Sequence, residues 1–161
     1  MVSIEQECVE LLQQYKWTVS TMESCTGGML AARLVNVPGA SDVFEAGYVT
    51  YSDKAKQINL GVDAKILEQY TAVSAEVAKE MVNGTALQIK PDVAISTTGI
   101  AGPGGGTKEK PVGLVYIGCR VKETIYVERF CFSGNRTEVR QQATEQALCF
   151  MKQCVNKFFS Q

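Results

Sequence analysis

The spacing of apolar positions changes several times along the chain. In residues 3–15 they fall at Ile4, Cys8, Leu11, Leu12 and Tyr15, the spacing of one helix face. WTVSTM (17–22) is a short β-prone run. Residues 26–35 read as a helix that Thr26 can cap, with Met29, Leu30, Arg33 and Leu34 following. VPGAS (37–41) breaks the pattern, and FEAGYVTY (44–51) resumes it as a strand containing a glycine. SDKAKQIN (52–59) suits a short helix. VSAEVAKEMVNGTALQI (73–89) reads as an amphipathic helix starting near Ser74, with Gly84 inside it as a point of close packing. PDVAISTT (91–98) is a buried strand and GIAGPGGGTKEKP (99–111) a loop. Runs at 112–121 and 124–132 form a hairpin around Lys122-Glu123. A long helix spans 135–159. Asn135 and Glu138 have the spacing of a capping box. Val139, Ala143, Ala147, Phe150, Cys154 and Phe158 form its apolar stripe.

Strands alternate with helices through the first two-thirds, then a hairpin and a helix follow. This order predicts a layered α/β domain with a mixed sheet. The length of 161 residues fits one domain over 1–161, and no repeat or linker divides it. A formal net charge of -1 disfavours a broad nucleic-acid surface. No apolar run reaches the roughly 18 residues of a membrane span. The start, MVSIEQECVELLQQY, lacks the basic leader and apolar core of a secretory signal. The expected location is therefore cytoplasmic, with neither membrane nor nucleic acid as partner. The six cysteines include no C-x-x-C and are expected to be free thiols.

The chain has no histidine. Ser-His-Asp and Cys-His hydrolysis cannot occur within it, and neither can a histidine-ligated zinc site. The reading is of no metal and no cofactor.

Four constellations could still carry chemistry. In MESCTGGMLAARL (22–34), Ser24, Cys25 and Thr26 precede a helix, where backbone N–H groups favour anions, and Gly27 and Gly28 permit close approach. An ordinary cap with a tight helix–strand contact fits the same pattern. Cys25 as a nucleophile lacks its usual base. The glycine-rich loop, with Gly99, Gly102, Gly104 and Gly105, matches neither a Walker A loop nor G-x-G-x-x-G opening a helix. It suits a backbone nest at a strand's carboxyl end, or a mobile hairpin-like loop. Ser41, Tyr51, Lys54 and Lys56 lie near strand ends, and a desolvated lysine can serve a serine as base. A solvated charged turn is the plainer reading. Arg136 and Arg140, four apart, share a helix face and could grip a phosphate or carboxylate, or could simply be solvated.

ESCTGG (23–28), GASDVF (39–44), GYVTYSDKAK (47–56), VSAEVAKEM (73–81), TGIAGPGGGTKEKPVG (98–113) and FSGNRTEVR (132–140) occur together and in order. In this the chain resembles the CinA C-terminal-domain family, over about residues 5–155, in its stand-alone form. The resemblance implies a three-layer α/β/α fold with a mixed, mostly parallel sheet. It implies deamidation of nicotinamide mononucleotide (NMN) to nicotinic acid mononucleotide and ammonia, without metal or histidine, in pyridine nucleotide salvage. By motif, Ser41 would be the nucleophile, with Tyr51 and Lys56 as base and relay. Ser24 and Thr98 would contact substrate or support the oxyanion, beside Thr26, Gly27 and Gly28 and the loop glycines. Arg136 and Arg140 would take the NMN phosphate. The family often has GSS-x-WF. Here Ala40 removes one hydroxyl and Val43 replaces an aromatic, while YSN has become YSD and Lys54 adds a second candidate base. A homodimer is the expected state of a small α/β enzyme. The rivals are an inactive nucleotide-binding module and an interaction protein in competence or DNA damage.

Overall fold

A computed structural model describes residues 1–161. Five strands, β1 (Val19–Glu23), β2 (Phe44–Val49), β3 (Val93–Gly99), β4 (Leu114–Val121) and β5 (Thr124–Cys131), form one sheet in the order β2-β1-β3-β4-β5. β1 pairs in parallel with both β2 and β3, whereas β3–β4 and β4–β5 are antiparallel. Four strands thus run one way and β4 alone opposes them. The sheet is mixed and mostly parallel in direction.

Alternate residues of the inner strands face opposite ways, and each face carries its own core. Val19, Val93, Ile95, Val115, Ile117 and Cys119 pack under α1 (Ile4–Tyr15), α2 (Met29–Val35) and α6 (Arg136–Phe159). Met22 and Ala94 pack with Leu60, Val62, Leu67, Val77, Met81 and Val82, from α3 (Asp53–Leu60), α4 (Ala64–Tyr70), α5 (Ala75–Asn83) and the turn between α3 and α4. These are the three layers. β1 is buried along its whole length, as a parallel strand covered on both faces must be.

Three local readings change. The helix expected over 73–89 stops at Asn83, because Gly84 adopts φ 54° and closes α5 as its C-cap. α4 falls in a stretch where the pattern assigned nothing. It has seven residues and one fully buried side chain, Leu67, too few to show a period. α2 starts at Met29, and its N-cap is Gly28 at φ 101° rather than Thr26. The capping box of α6 is present, with Asn135 accepting from the Glu138 N–H and Glu138 reaching back. All six cysteines are free, and no helix is long and apolar enough to cross a membrane.

The connections place the site. After β1 the chain turns to the α2 side of the sheet; after β2 it turns to the α3 side. Adjacent parallel strands whose connections leave on opposite faces open a crevice at their carboxyl ends, the usual ligand position in such sheets.

Candidate active site

Two extensions of the ladders build that crevice. The Ser24 N–H donates to the Thr97 carbonyl at 2.9 Å, and the Thr50 N–H to the Glu23 carbonyl at 2.8 Å. Both residues are therefore held in line with the sheet as their strands end. From the far side α3 supplies Lys56, whose Nζ donates to Ser24 Oγ at 3.0 Å and to the Thr50 carbonyl at 2.8 Å. Ser52 caps α3 by accepting from the Ala55 N–H, and Lys56 and Leu60, four apart, share its buried face. Lys56 is 1% exposed and Ser24 9%. Burial is the main cause that lowers the Lys56 pKa from the ordinary lysine value; Asp53 and Cys25 nearby act the other way. Lys56 is thus an amine driven toward its neutral form in contact with a hydroxyl.

The turn bearing Ser24 is braced from within. Glu23, fully buried, accepts from the Leu30 N–H at 2.9 Å, the Ala31 N–H at 3.0 Å and the Thr26 hydroxyl at 2.6 Å. Thr26 Oγ1 also lies 2.8 Å from Thr97 Oγ1. The anion expected at the start of α2 is therefore the protein's own carboxylate. That corrects the reading of Thr26, Gly27 and Gly28 as an open anion cradle. From α6, Arg140 donates to the carbonyls of Cys25 at 2.9 Å and Thr26 at 3.2 Å. A Cβ on Gly27 would stand 3.1 Å from its guanidinium. Arg140 thus holds the turn. Burial pushes the Cys25 thiol up to about 12, which removes it as a nucleophile near neutrality. The amides of Cys25 and Thr26 donate to no backbone carbonyl.

The other expected residues are placed apart. Ser41 is exposed, in the single 3-10 turn Ala40–Asp42 before β2. Lys56 meets the residue just past the opposite end of that strand. At ~3.3 Å per residue, the six residues of β2 separate Ser41 from Lys56 by roughly 20 Å. The structure does not bring Ser41 to Tyr51 or Lys56. Lys54 is exposed on the outer side of α3, so of the two lysines only Lys56 reaches a serine. Tyr51 is 60% exposed, and its hydroxyl accepts from Arg136 at 2.9 Å. Arg136 also donates to the Gly102 carbonyl at 2.7 Å. Tyr51 and Arg136 therefore meet each other at the rim, beside the glycine-rich loop. Thr98 spends its hydroxyl proton on the Ala72 carbonyl at 2.8 Å. Gly99 ends β3, and Gly102, Gly104 and Gly105 lie in the loop beyond it.

That loop walls a cleft of about 630 Å³ at the same end of the sheet. Ile100, Gly105 and Lys110 face Asp53 and the segment 69–73 across it. Ser24 and Lys56 do not line the cleft. Asp53, one of its wall residues, lies on the helix that carries Lys56. No three Cys, Asp or Glu side chains stand close enough together to hold a metal ion.

An α/β/α sheet thus carries a buried serine–lysine pair at its switch point. The chain belongs to the CinA family: the family model described as the CinA C-terminal domain matches residues 1–155. A competence-damage inducible protein of Clostridium beijerinckii is 50% identical over 97% of this chain. One of Caldicellulosiruptor saccharolyticus is 46% identical over 95%. The chain spans 38% and 37% of the length of these two relatives. Among solved structures, the competence/damage inducible protein CihA of Agrobacterium tumefaciens is similar at TM-score 0.88 and 35% identity, covering 92% of this chain and 91% of that one. A CinA superfamily protein of Escherichia coli is similar at TM-score 0.87 and 35% identity, covering 94% and 90%.

Proposed function

We propose that this chain is an amidohydrolase that converts NMN and water to nicotinic acid mononucleotide and ammonia, with Ser24 as nucleophile and Lys56 as its base. The observation that carries this reading is the 3.0 Å contact between the buried Lys56 amine and the Ser24 hydroxyl. Family membership and the absence of histidine support it, and the substrate follows from the family resemblance.

Neutral Lys56 takes the Ser24 proton as Oγ bonds to the carboxamide carbon. Backbone amides and small hydroxyls around Ser24 hold the developing oxyanion. The C–N bond breaks, and ammonia departs with the proton returned by Lys56. Water, deprotonated by the same amine, then cleaves the acyl-serine, and Ser24 recovers its proton. Each carboxamide consumes one water and releases one ammonia. Tyr51 and Arg136 meet the nucleotide and do not move this proton; their mutual contact at the rim supports that role. The protein acts in the cytoplasm as a homodimer.

The test is purified protein with NMN, following ammonia and the acid product. Turnover supports the reading. Absence of turnover with measurable NMN binding would leave a nucleotide-binding module instead.

A further inference from the structure

The glycine-rich segment 100–112 is a strap with a defined neck and two moorings. At the neck the Ile100 N–H donates to the Leu114 carbonyl at 2.9 Å and the Gly113 N–H to the Ile100 carbonyl at 2.8 Å. One mooring is Arg136, which holds the Gly102 carbonyl. The other is Lys110. Its Nζ donates to the Tyr70 carbonyl at 2.8 Å, Thr71 Oγ1 at 2.8 Å and the Val73 carbonyl at 2.7 Å. Three bonds use every donor of an ammonium group.

Both sides of this contact are prepared for it. Thr107 and Lys110 clasp one another: the Thr107 N–H donates to the Lys110 carbonyl at 2.7 Å, and the Lys110 N–H to Thr107 Oγ1 at 3.0 Å. That clasp aims the side chain. In the receiving turn, Ala72 is held by Thr98 and the Thr71 carbonyl by the Ser74 hydroxyl, leaving the Tyr70 and Val73 carbonyls to Lys110. The 630 Å³ cleft lies between the strap and this turn, and Lys110 and Thr71 are both on its wall. A surface lysine paired with one carboxylate would have no such consequence. This one joins segments about 40 residues apart across the mouth of a cleft.

We infer that Lys110 is a positioning residue: it latches the strap to the 70–73 turn and so sets the shape of the cleft, which takes the part of the substrate that lies away from Ser24 and Lys56. The inference rests on the proposed amidohydrolase reading for its kinetic part and on the apo protein for its structural part. The latch touches neither Ser24 nor Lys56. Its loss acts on substrate capture more than on the chemical step.

The experiment combines Lys110→Met and Thr71→Val, singly and together. Hydrogen exchange on apo protein is followed over residues 100–112, with KM and kcat for NMN measured in parallel. In Lys110→Met the strap amides exchange at least about tenfold faster, KM rises about tenfold and kcat stays within about threefold. Thr71→Val, which removes one of three acceptors, moves the same quantities less. It adds nothing in the Lys110→Met background, as members of one contact are non-additive. Unchanged strap exchange in Lys110→Met overturns the latch. A faster strap with unchanged KM overturns its role in the cleft. A fall in kcat alone, or additive effects in the double variant, marks a merely structural residue and overturns it as well. Wild-type protein that exchanges slowly at the strap but leaves NMN untouched refutes the amidohydrolase reading and the kinetic half; the latch is then judged on exchange alone.

Discussion

At the scale of single residues, the chemistry depends on which serine a neutral amine reaches. Ser24→Ala and Lys56→Ala are each expected to lower kcat/KM for NMN by about 10³-fold or more. Ser41→Ala should stay within about threefold of wild type, as Ser41 stands exposed beyond the far end of β2. The pH dependence follows from the lysine. Lys56 acts only when deprotonated, and burial lowers its pKa, so kcat/KM should rise with pH and level off below the ordinary lysine value of about 10.4. The sign for stability is the same. Between the lowered folded value and the unfolded value the unfolded chain binds more protons, so unfolding free energy rises with pH through that window. Lys56→Met should lose this slope in denaturant titrations taken at several pH values.

The same residues show what a sequence reveals. Lys56 was legible as a candidate base from its place in GYVTYSDKAK, but only burial separates it from the exposed Lys54. Ser24 was legible as a site residue but not as the partner of Lys56, since 32 positions separate them and only the β1–β2 crevice joins them. Arg140 has a sequence signal that suits the opposite role. An arginine on a helix face reads as free to bind an anion, and nothing in the spacing says that two carbonyls already hold it.

At the scale of elements, the sequence pattern showed the long helices and α3, misplaced the start of α2 and missed α4. α6 and α1 show their stripes and their caps plainly. α2 and α4 are seven residues each and depend on contacts outside themselves. α2 has no capping side chain at its N-cap; a carboxylate from the preceding strand serves instead. Glu23→Ala is therefore expected to cost about 2 kcal/mol in chemical denaturation, because it strands the buried Leu30 N–H and the half-buried Ala31 N–H. Gly84 illustrates the other failure. Its place in an amphipathic run suggested close packing inside a helix, whereas a positive φ makes it the terminus.

At the scale of the whole molecule, alternating strands and helices were enough to give a layered α/β domain with a mixed sheet. Strand order and the distribution of helices over the two faces were not written in any local pattern. They decide that β1 and β2 send their connections to opposite faces, and hence where a serine after one strand meets a lysine after the other. β2 is also a free edge of the sheet, and Ile58 and Ile89 stand exposed beside it. Sedimentation is expected to return a dimer of the 17.5 kDa chain. A monomer with full NMN turnover would remove self-association from the account.

The central claim is that Ser24 and Lys56 together hydrolyse a carboxamide. It is tested most directly by measuring ammonia release from NMN, with chelator present, by wild-type, Ser24→Ala and Ser41→Ala proteins of matched stability. The account predicts turnover by wild type and Ser41→Ala and its near-complete loss in Ser24→Ala. Full activity in Ser24→Ala, or loss in Ser41→Ala alone, would contradict it.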